Sequence, residues 1–465
     1  MTATTITGLD LLRARMSGAI GAQMPGHLQR LSWSPGQLAA FQRDRLRALL
    51  ARAIERSPFH AARLRGVDPG RFELAGLPRL PVMTKAQMME HFDAAVTDPR
   101  LTRDLVERHL ARSAVEPSLL LGDYVGLVSG GSSGLRGVFV QAVSEYADFA
   151  CTIMRRPMAA AMTPAGPPPE GLVIGIVGAG SPVHSSGLAA VTATAPPVRL
   201  IPAPAGLPTA EIVGRLNAAQ PPALLAYAAK LAELAHEQRA GRLRLNPRTV
   251  TSMTEALTPD ERTAIREAFG VPVTDLFVST EGLVGHTEPD GAVFTFASDT
   301  CLAECVDDEG RPVPDGVTSS KVLLTNLHNL TQPLIRYELT DRFTPATAAG
   351  AAAGGFQRAG VDGRTDDLFC YAGMNVHPFV IGAALARAPA VREFQVRQTG
   401  RGADVSAVID GAPDLAALAA EVQDSLRRAG LPAPLVTIRP VAALDRDPVT
   451  GKARRFVPLG TRPPG

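Results

Sequence analysis

Cysteine is scarce in this chain. The four thiols, Cys151, Cys301, Cys305 and Cys370, are too dispersed for a disulfide framework, so a reducing, cytoplasmic setting is the expectation. Net charge is also nearly absent. With 47 basic against 45 acidic residues, the balance of +2 gives no electrostatic pull toward nucleic acid or an anionic membrane. Long apolar runs are missing: the most apolar stretch, Gly171 to Ala179, is far too short to span a bilayer. Met1 to Gly26 has no basic segment followed by an apolar one, so no secretory signal is expected there. Aromatic residues are few, at 5%, yet hydrophobic residues make up 45%, which argues for compositional bias and against disorder. No internal repeat or coiled-coil heptad is found.

What is present is enough chain for two to four units and a sizeable core. Leu38, Phe41, Leu46, Leu49, Leu50 and Ile54 predict a helix that stops at Ser57-Pro58. Thr84 reads as the N-cap of a helix over 85–92. From Tyr124 the pattern changes to short strands: Val125 to Val128, Val138 to Val140, Leu172 to Val177, Ala223 to Ala226 and Val273 to Val278. Helices are predicted between them at 212–216, 231–242 and from Thr258-Pro259-Asp260 to Gly270. Such alternation predicts a mixed α/β sheet covered by helices. Residues 291–343 read as β-rich, and 345–355 as a loop. Beyond that a small α+β module contains a helix from Leu415 to Ala429, capped by Asp414 and stopped by Gly430. The expected fold class is therefore α/β: a large N-terminal unit of several subdomains, one β-rich, followed by a small C-terminal α+β domain.

Five short runs carry chemistry. Ser129-Gly130-Gly131-Ser132-Ser133-Gly134-Leu135-Arg136-Gly137 combines small residues, hydroxyls and a cation, as a phosphate-cradling loop requires. It lacks the Gly-Lys-Ser/Thr of a Walker A loop. It also matches Gly-x-Ser-x-Gly, the nucleophile elbow of hydrolases, but the strand-like Gly137-Val138-Phe139-Val140 favours strand–loop–strand. By itself the run serves equally as a hairpin loop. In Asp275-Leu276-Phe277-Val278-Ser279-Thr280-Glu281-Gly282, an aromatic can stack on a flat base and a carboxylate can hold Mg²⁺ beside phosphates. A core Phe and a solvated Glu would explain the same residues. In Pro333 to Asp341, the terminal Asp can accept from ribose hydroxyls or pair with a surface Arg. Gly363-Arg364-Thr365-Asp366-Asp367 reads as a turn, a hinge or a polar linker. Gly451-Lys452-Ala453-Arg454-Arg455 places a lysine in a polar loop, where a lone Lys is usually solvated.

In order and spacing, the five runs resemble the ANL superfamily of adenylate-forming enzymes, in its branch of phenylacetate–CoA ligases and relatives. The resemblance covers most of the chain and includes Ser57-Pro58-Phe59, Leu80 to Lys85, Asp308 to Val313 and Leu327-His328-Asn329. It implies an adenylation domain over 1–365 and a mobile lid over 366–465. In that likeness Ser129, Gly131, Ser132, Ser133, Gly134 and Arg136 wrap the ATP phosphates. Glu255 belongs to an adenine-pocket segment, and Phe277 lies on the adenine. Thr280 contacts phosphate, Glu281 holds Mg²⁺, and Asp341 and Arg364 bind ribose. Asp366 is the hinge, Gly373 lies in the loop that serves the second half-reaction, and Lys452 is the catalytic lysine of the first. The sequence departs from the family pattern at Arg136, where Pro-Lys is usual, at Phe277 for Tyr, at Val278 for Gly and at Thr340 for Gly or Asn. Its lysine loop, Asp445 to Lys452, is longer than the compact form.

The activity implied is ATP-dependent activation of a small carboxylate, aromatic by expectation, with transfer to CoA. The expected partners are small-molecule substrate and nucleotide, with neither nucleic acid nor membrane, and an oligomer is possible but not indicated. Relatives that adenylate nitrite for delivery to an aryl amine, or that use carrier-protein thiols or amines, share the nucleotide motifs. A serine hydrolase using Ser132 is the alternative from another class. His184 and Tyr227 are candidates for the substrate pocket, each also explicable as packing. Cys301-x-x-x-Cys305 with His286 has poor spacing for structural zinc.

Overall fold

The computed structural model describes residues 7–129, 136–162, 171–347, 355–371, 374–388, 390–447 and 451–459. Its centre is a ten-stranded sheet. The strands run in the order Asp341–Pro345, Arg358–Arg364, Val293–Phe296, Val284–Thr287, Val273–Val278, Thr249–Met253, Ala223–Tyr227, Leu172–Val177, Val198–Pro202 and Thr194–Ala195. The five strands from Val273–Val278 to Val198–Pro202 are parallel to their neighbours within that group. Leu172–Val177 is a continuous apolar run, as expected of a parallel strand covered on both faces. A three-stranded sheet, Cys301–Val306, Lys321–Asn326 and Tyr337–Leu339, forms the β-rich part. The α/β class expected from the sequence is therefore found, with antiparallel strands added to a parallel centre.

Local signals set most helix boundaries. Ser34 and Gln37 form a capping box for helix Pro35–Arg56, and Thr84 with Gln87 does the same for Lys85–Glu90. Thr258 and Glu261 start helix Pro259–Phe269, and Gly270 ends it in the left-handed conformation. Two long helices were not anticipated, Gly8–Arg30 and Val143–Ala161. The first contains four glycines and Pro25, so its sequence shows no clear helical stripe. They pack against each other over the large sheet. A buried carboxylate, Asp299, joins them to the strand system: it accepts from Arg155 at 2.6 and 2.7 Å and from Arg30 at 2.8 Å.

Hydrophobic packing divides into two principal cores. One gathers residues from Leu12 to Ala359, and another from Phe369 to Phe456. The second lies against a four-stranded sheet ordered Leu435–Pro440, Gly402–Ile409, Val391–Thr399 and Phe456–Val457, with helix Leu415–Arg428 capped by Asp414 as expected. Ion pairs hold this C-terminal sheet to the large unit, Arg392 to Glu237 at 2.8 Å and Arg455 to Glu261 at 2.6 Å, and His236 Nε2 lies 2.8 Å from the Asp410 carboxylate. Among the described residues no helix is long and apolar enough to cross a membrane.

Removing Asp299 leaves two guanidinium groups without their shared partner in a dry setting. Asp299→Ala is expected to cost about 3–5 kcal/mol, read as a lowered denaturation midpoint.

Candidate active site

Parallel strands present their carboxyl ends together, and loops leaving those ends are where α/β sheets bind ligands. Here His184 follows strand Leu172–Val177, Tyr227 ends strand Ala223–Tyr227, Thr254 and Glu255 follow Thr249–Met253, and Thr280 and Glu281 follow Val273–Val278. All six line one cavity of about 2290 Å³, together with Ser129, Phe277, Asp341, Arg364 and Lys452. Ten of the residues singled out from the sequence are thus brought together. Arg136 is exposed and outside the lining, although its charge reaches His184. Gly131, Ser132, Ser133, Gly134 and Gly373 lie outside the described residues, as does the side chain of Asp366, whose backbone belongs to the short 3-10 turn Thr365–Asp367.

The Gly/Ser run connects strand Tyr124–Val128 to the antiparallel strand Val138–Ala142. A nucleophile elbow leads from strand into helix, so this topology opposes the hydrolase alternative. Ser129 closes the base of the hairpin: its amide donates to the Gly137 carbonyl at 3.0 Å, and its hydroxyl accepts from the Gly137 amide at 2.9 Å. The segment 326–332 supports both this hairpin and the Glu281 turn. The Gln332 side chain accepts from the Val140 amide at 2.9 Å and donates to the Val138 carbonyl at 3.2 Å. Asn326 Nδ2 donates to the Glu281 carbonyl at 2.7 Å. Gly282 is needed there, because its φ is +110° and a Cβ would stand 2.3 Å from Asn326 Nδ2.

Asp341 and Arg364 are register partners on adjacent antiparallel strands. Arg364 donates from Nη2 to Thr340 Oγ1 at 2.8 Å. Burial pushes the Asp341 carboxyl up to about 6, against the pull of Arg364 and with added repulsion from Glu281 and Asp367. Burial likewise pushes Asp275, another lining residue, up to about 7. Phe277 lines the cavity and packs edge-on to Phe294, Phe296 and Phe343. Glu255 accepts from the Ala229 amide at 3.0 Å, at the start of helix Ala228–Arg239. His184 is held down to about 4 by burial and by the charges of Arg136 and Lys452, so it is neutral at pH 7.

Lys452 reaches this site from the C-terminal sheet. Its Nζ donates to Thr254 Oγ1 at 2.9 Å and lies 4.5 Å from the centre of the Tyr227 ring. Burial lowers its pKa, helped by Arg364 and opposed by Glu255 and Asp447. The neighbouring backbone is tied by Asp447 amide to Lys452 carbonyl and Gly451 amide to Asp447 carbonyl, both 2.8 Å. Gly451 has φ +71°, and a Cβ on it would meet the Gly206 nitrogen at 2.6 Å. Sequence reading passed over Gly206 and assigned no contact to Thr254 or Thr340. Each acts only by touching a residue distant in the chain, so no local pattern marks it.

Magnesium characteristically takes one or two carboxylates and completes its shell with phosphate and water. Glu281, buried with its side chain on the cavity, fits that mode. Among the described residues no group of three or more His, Cys, Asp or Glu is placed to hold a metal.

The site thus combines a cleft at strand ends, a set of aromatic, hydroxyl and carboxylate groups, and a lysine delivered by a second sheet. The comparisons agree with the resemblance carried by the motifs. The chain is similar to the phenylacetate-coenzyme A ligase of Thermus thermophilus, 26% identical over 367 residues, which is 76% of each chain. Its fold matches 2-hydroxyisobutyryl-CoA ligase in the postadenylation state with R3-HIB-AMP: TM-score 0.69, 19% identity, 90% of this chain and 89% of that one. The thioesterification state of the same enzyme, with 2-HIB-AMP and CoA, matches at a TM-score of 0.56, with 20% identity over 91% and 90%. No protein-family model matches the sequence.

Two outcomes are expected from this geometry. If Lys452 is a catalytic group, Gly451→Ala should slow its step by about tenfold or more, as expected when such a group is misplaced by about 1 Å, with the thermal midpoint little changed. If the Asp341 carboxylate accepts ribose hydroxyls, nucleotide affinity holds above pH 6 and falls as the pH drops through about 6. Asp341→Asn should flatten that dependence in a binding titration.

Proposed function

We propose that this protein is an ATP-dependent adenylate-forming ligase. It activates an organic carboxylate as an acyl adenylate and transfers the acyl group to the thiol of CoA. The observation that carries the reading is the placement of Lys452 at the carboxyl ends of the parallel strands, in one cavity with Glu281, Asp341 and Arg364. Similarity to a phenylacetate-coenzyme A ligase supports it.

In the first half-reaction a carboxylate oxygen attacks the α-phosphorus of ATP. The new C–O–P anhydride forms as the bond to pyrophosphate breaks, and negative charge grows on both sides. Lys452 supplies a fixed positive charge to that transition state, in a setting where water competes little. Asp341 and Arg364 hold the ribose, Phe277 and the 253–255 segment hold the base, and the Ser129 hairpin carries the phosphates. Magnesium, held by Glu281, supplies charge neutralisation when bound. In the second half-reaction the CoA thiol gives up its proton, its sulfur attacks the acyl carbonyl, and AMP leaves. That nucleophile needs access, so Lys452 withdraws with the C-terminal sheet about a hinge at Asp366, between adenylation domain 1–365 and lid 366–465.

Pyrophosphate release from ATP should appear as a single-turnover burst with a carboxylate before CoA is added. Lys452→Ala should lose that burst by about a hundredfold or more, the order of removing a dedicated electrostatic donor, while keeping ATP binding. A burst with nitrite alone, or a full burst in Lys452→Ala, would contradict the reading.

A further inference from the structure

The cavity extends beyond the residues assigned to the nucleotide. Pockets for drug-sized ligands run to roughly 300–1,000 Å³, whereas this one holds about 2290 Å³. Its excess has a direction. Lining residues continue from Val278 across the five strands of the parallel sheet, through Met253, Leu225 and Ile176 to Leu200. Four interstrand steps of about 4.8 Å make about 19 Å. Over this floor lie Ile20 from helix Gly8–Arg30 and Ala150 and Met154 from helix Val143–Ala161. These three roof side chains remain half-buried although their helices pack together, because they face the cavity. Ala150 and Met154 are four residues apart and share one helix face. Among the described residues, the charged lining residues of the two roof helices are Asp10 and Arg13, beside exposed Ser17.

We infer that the carboxylate activated here carries an extended apolar body, a medium or long alkyl chain or a linear multi-ring skeleton, longer than a single aryl ring. This rests on the proposed adenylation reaction and names its substrate class. The inner end of the arm meets Tyr227 and His184, beside Lys452, where the carboxylate must react. A neutral His184 suits a site whose ligand is mostly hydrocarbon. CoA is a poor occupant of this arm. Its floor and roof belong to the large sheet and the helices over it, with no element of the C-terminal sheet. The arm therefore keeps its shape through both half-reactions, as a group bound throughout requires. Its open outer end lets longer chains emerge.

The test is pyrophosphate release from ATP with benzoate, phenylacetate, octanoate, dodecanoate, hexadecanoate and biphenyl-4-carboxylate. The expected result is kcat/KM rising with apolar length, by up to about fourfold per added methylene while the arm fills. Ala150→Trp should cut dodecanoate turnover about tenfold or more while leaving phenylacetate within about threefold, the block falling beyond the first ring. Ala189→Leu, on the neighbouring helix Ser185–Thr192 that also lines the cavity, is a gentler second variant expected to shift the length optimum downward. Retained phenylacetate turnover shows that each variant is folded. Equal kcat/KM for phenylacetate and the extended acids in the unaltered protein would overturn the inference, as would variants that lower short and long acids alike. Silence with every carboxylate would instead overturn the adenylation reading itself, so the two failures are distinguishable.

Discussion

Gly451 and Gly206 meet with no room for a side chain between them, and that contact sets where the lysine loop rests. Through it a cation borne by the C-terminal sheet is lodged among the strand ends of the large one. Holding an ammonium out of water is costly, and the lowered pKa of Lys452 expresses that cost. Thr254, the Tyr227 ring, Glu255 and Asp447 offset it, by hydrogen bond, by cation–π contact and by charge. In the proposed reaction, that arrangement suits a group needed while phosphate charge is present; once the charge leaves with pyrophosphate, the lysine loses its strongest reason to remain.

The rest of the site is rigid by comparison. The hairpin over Ser129 and the turn over Glu281 are tied to one segment through Asn326 and Gln332, whose side chains are fully buried. Displacing that segment would move both elements together. On the other side, the C-terminal sheet is held largely by ion pairs to two helices, Ala228–Arg239 and Pro259–Phe269. In both pairs the carboxylate, Glu237 or Glu261, is buried, so the contact is made largely out of water.

Much of this was legible beforehand, for identifiable reasons. Capping pairs such as Thr258 with Glu261, and stops such as Gly270, act within a few residues, so helix Pro259–Phe269 could be read directly. The apolar run Leu172–Val177 gave a buried strand for the same reason. Helix Gly8–Arg30 could not be read this way, because its glycines and proline weaken the local pattern and its order comes from packing on helix Val143–Ala161. The candidate site was legible where motifs follow strands, as at Glu281 and Asp341. It was not legible where contacts join distant segments, as Lys452 meets Thr254 and Gly451 meets Gly206. The apolar arm was invisible for the same reason: its walls come from five strands and three helices brought together from distant parts of the chain.

The central claim is that a carboxylate oxygen becomes bonded to the α-phosphorus. It is tested most directly by running one complete turnover with ¹⁸O-labelled dodecanoate, ATP and CoA, and weighing the AMP released. The account predicts AMP carrying one ¹⁸O atom, because cleavage of the acyl adenylate leaves the bridging oxygen on phosphorus. Thioester formed with unlabelled AMP, or with ADP in its place, would contradict it.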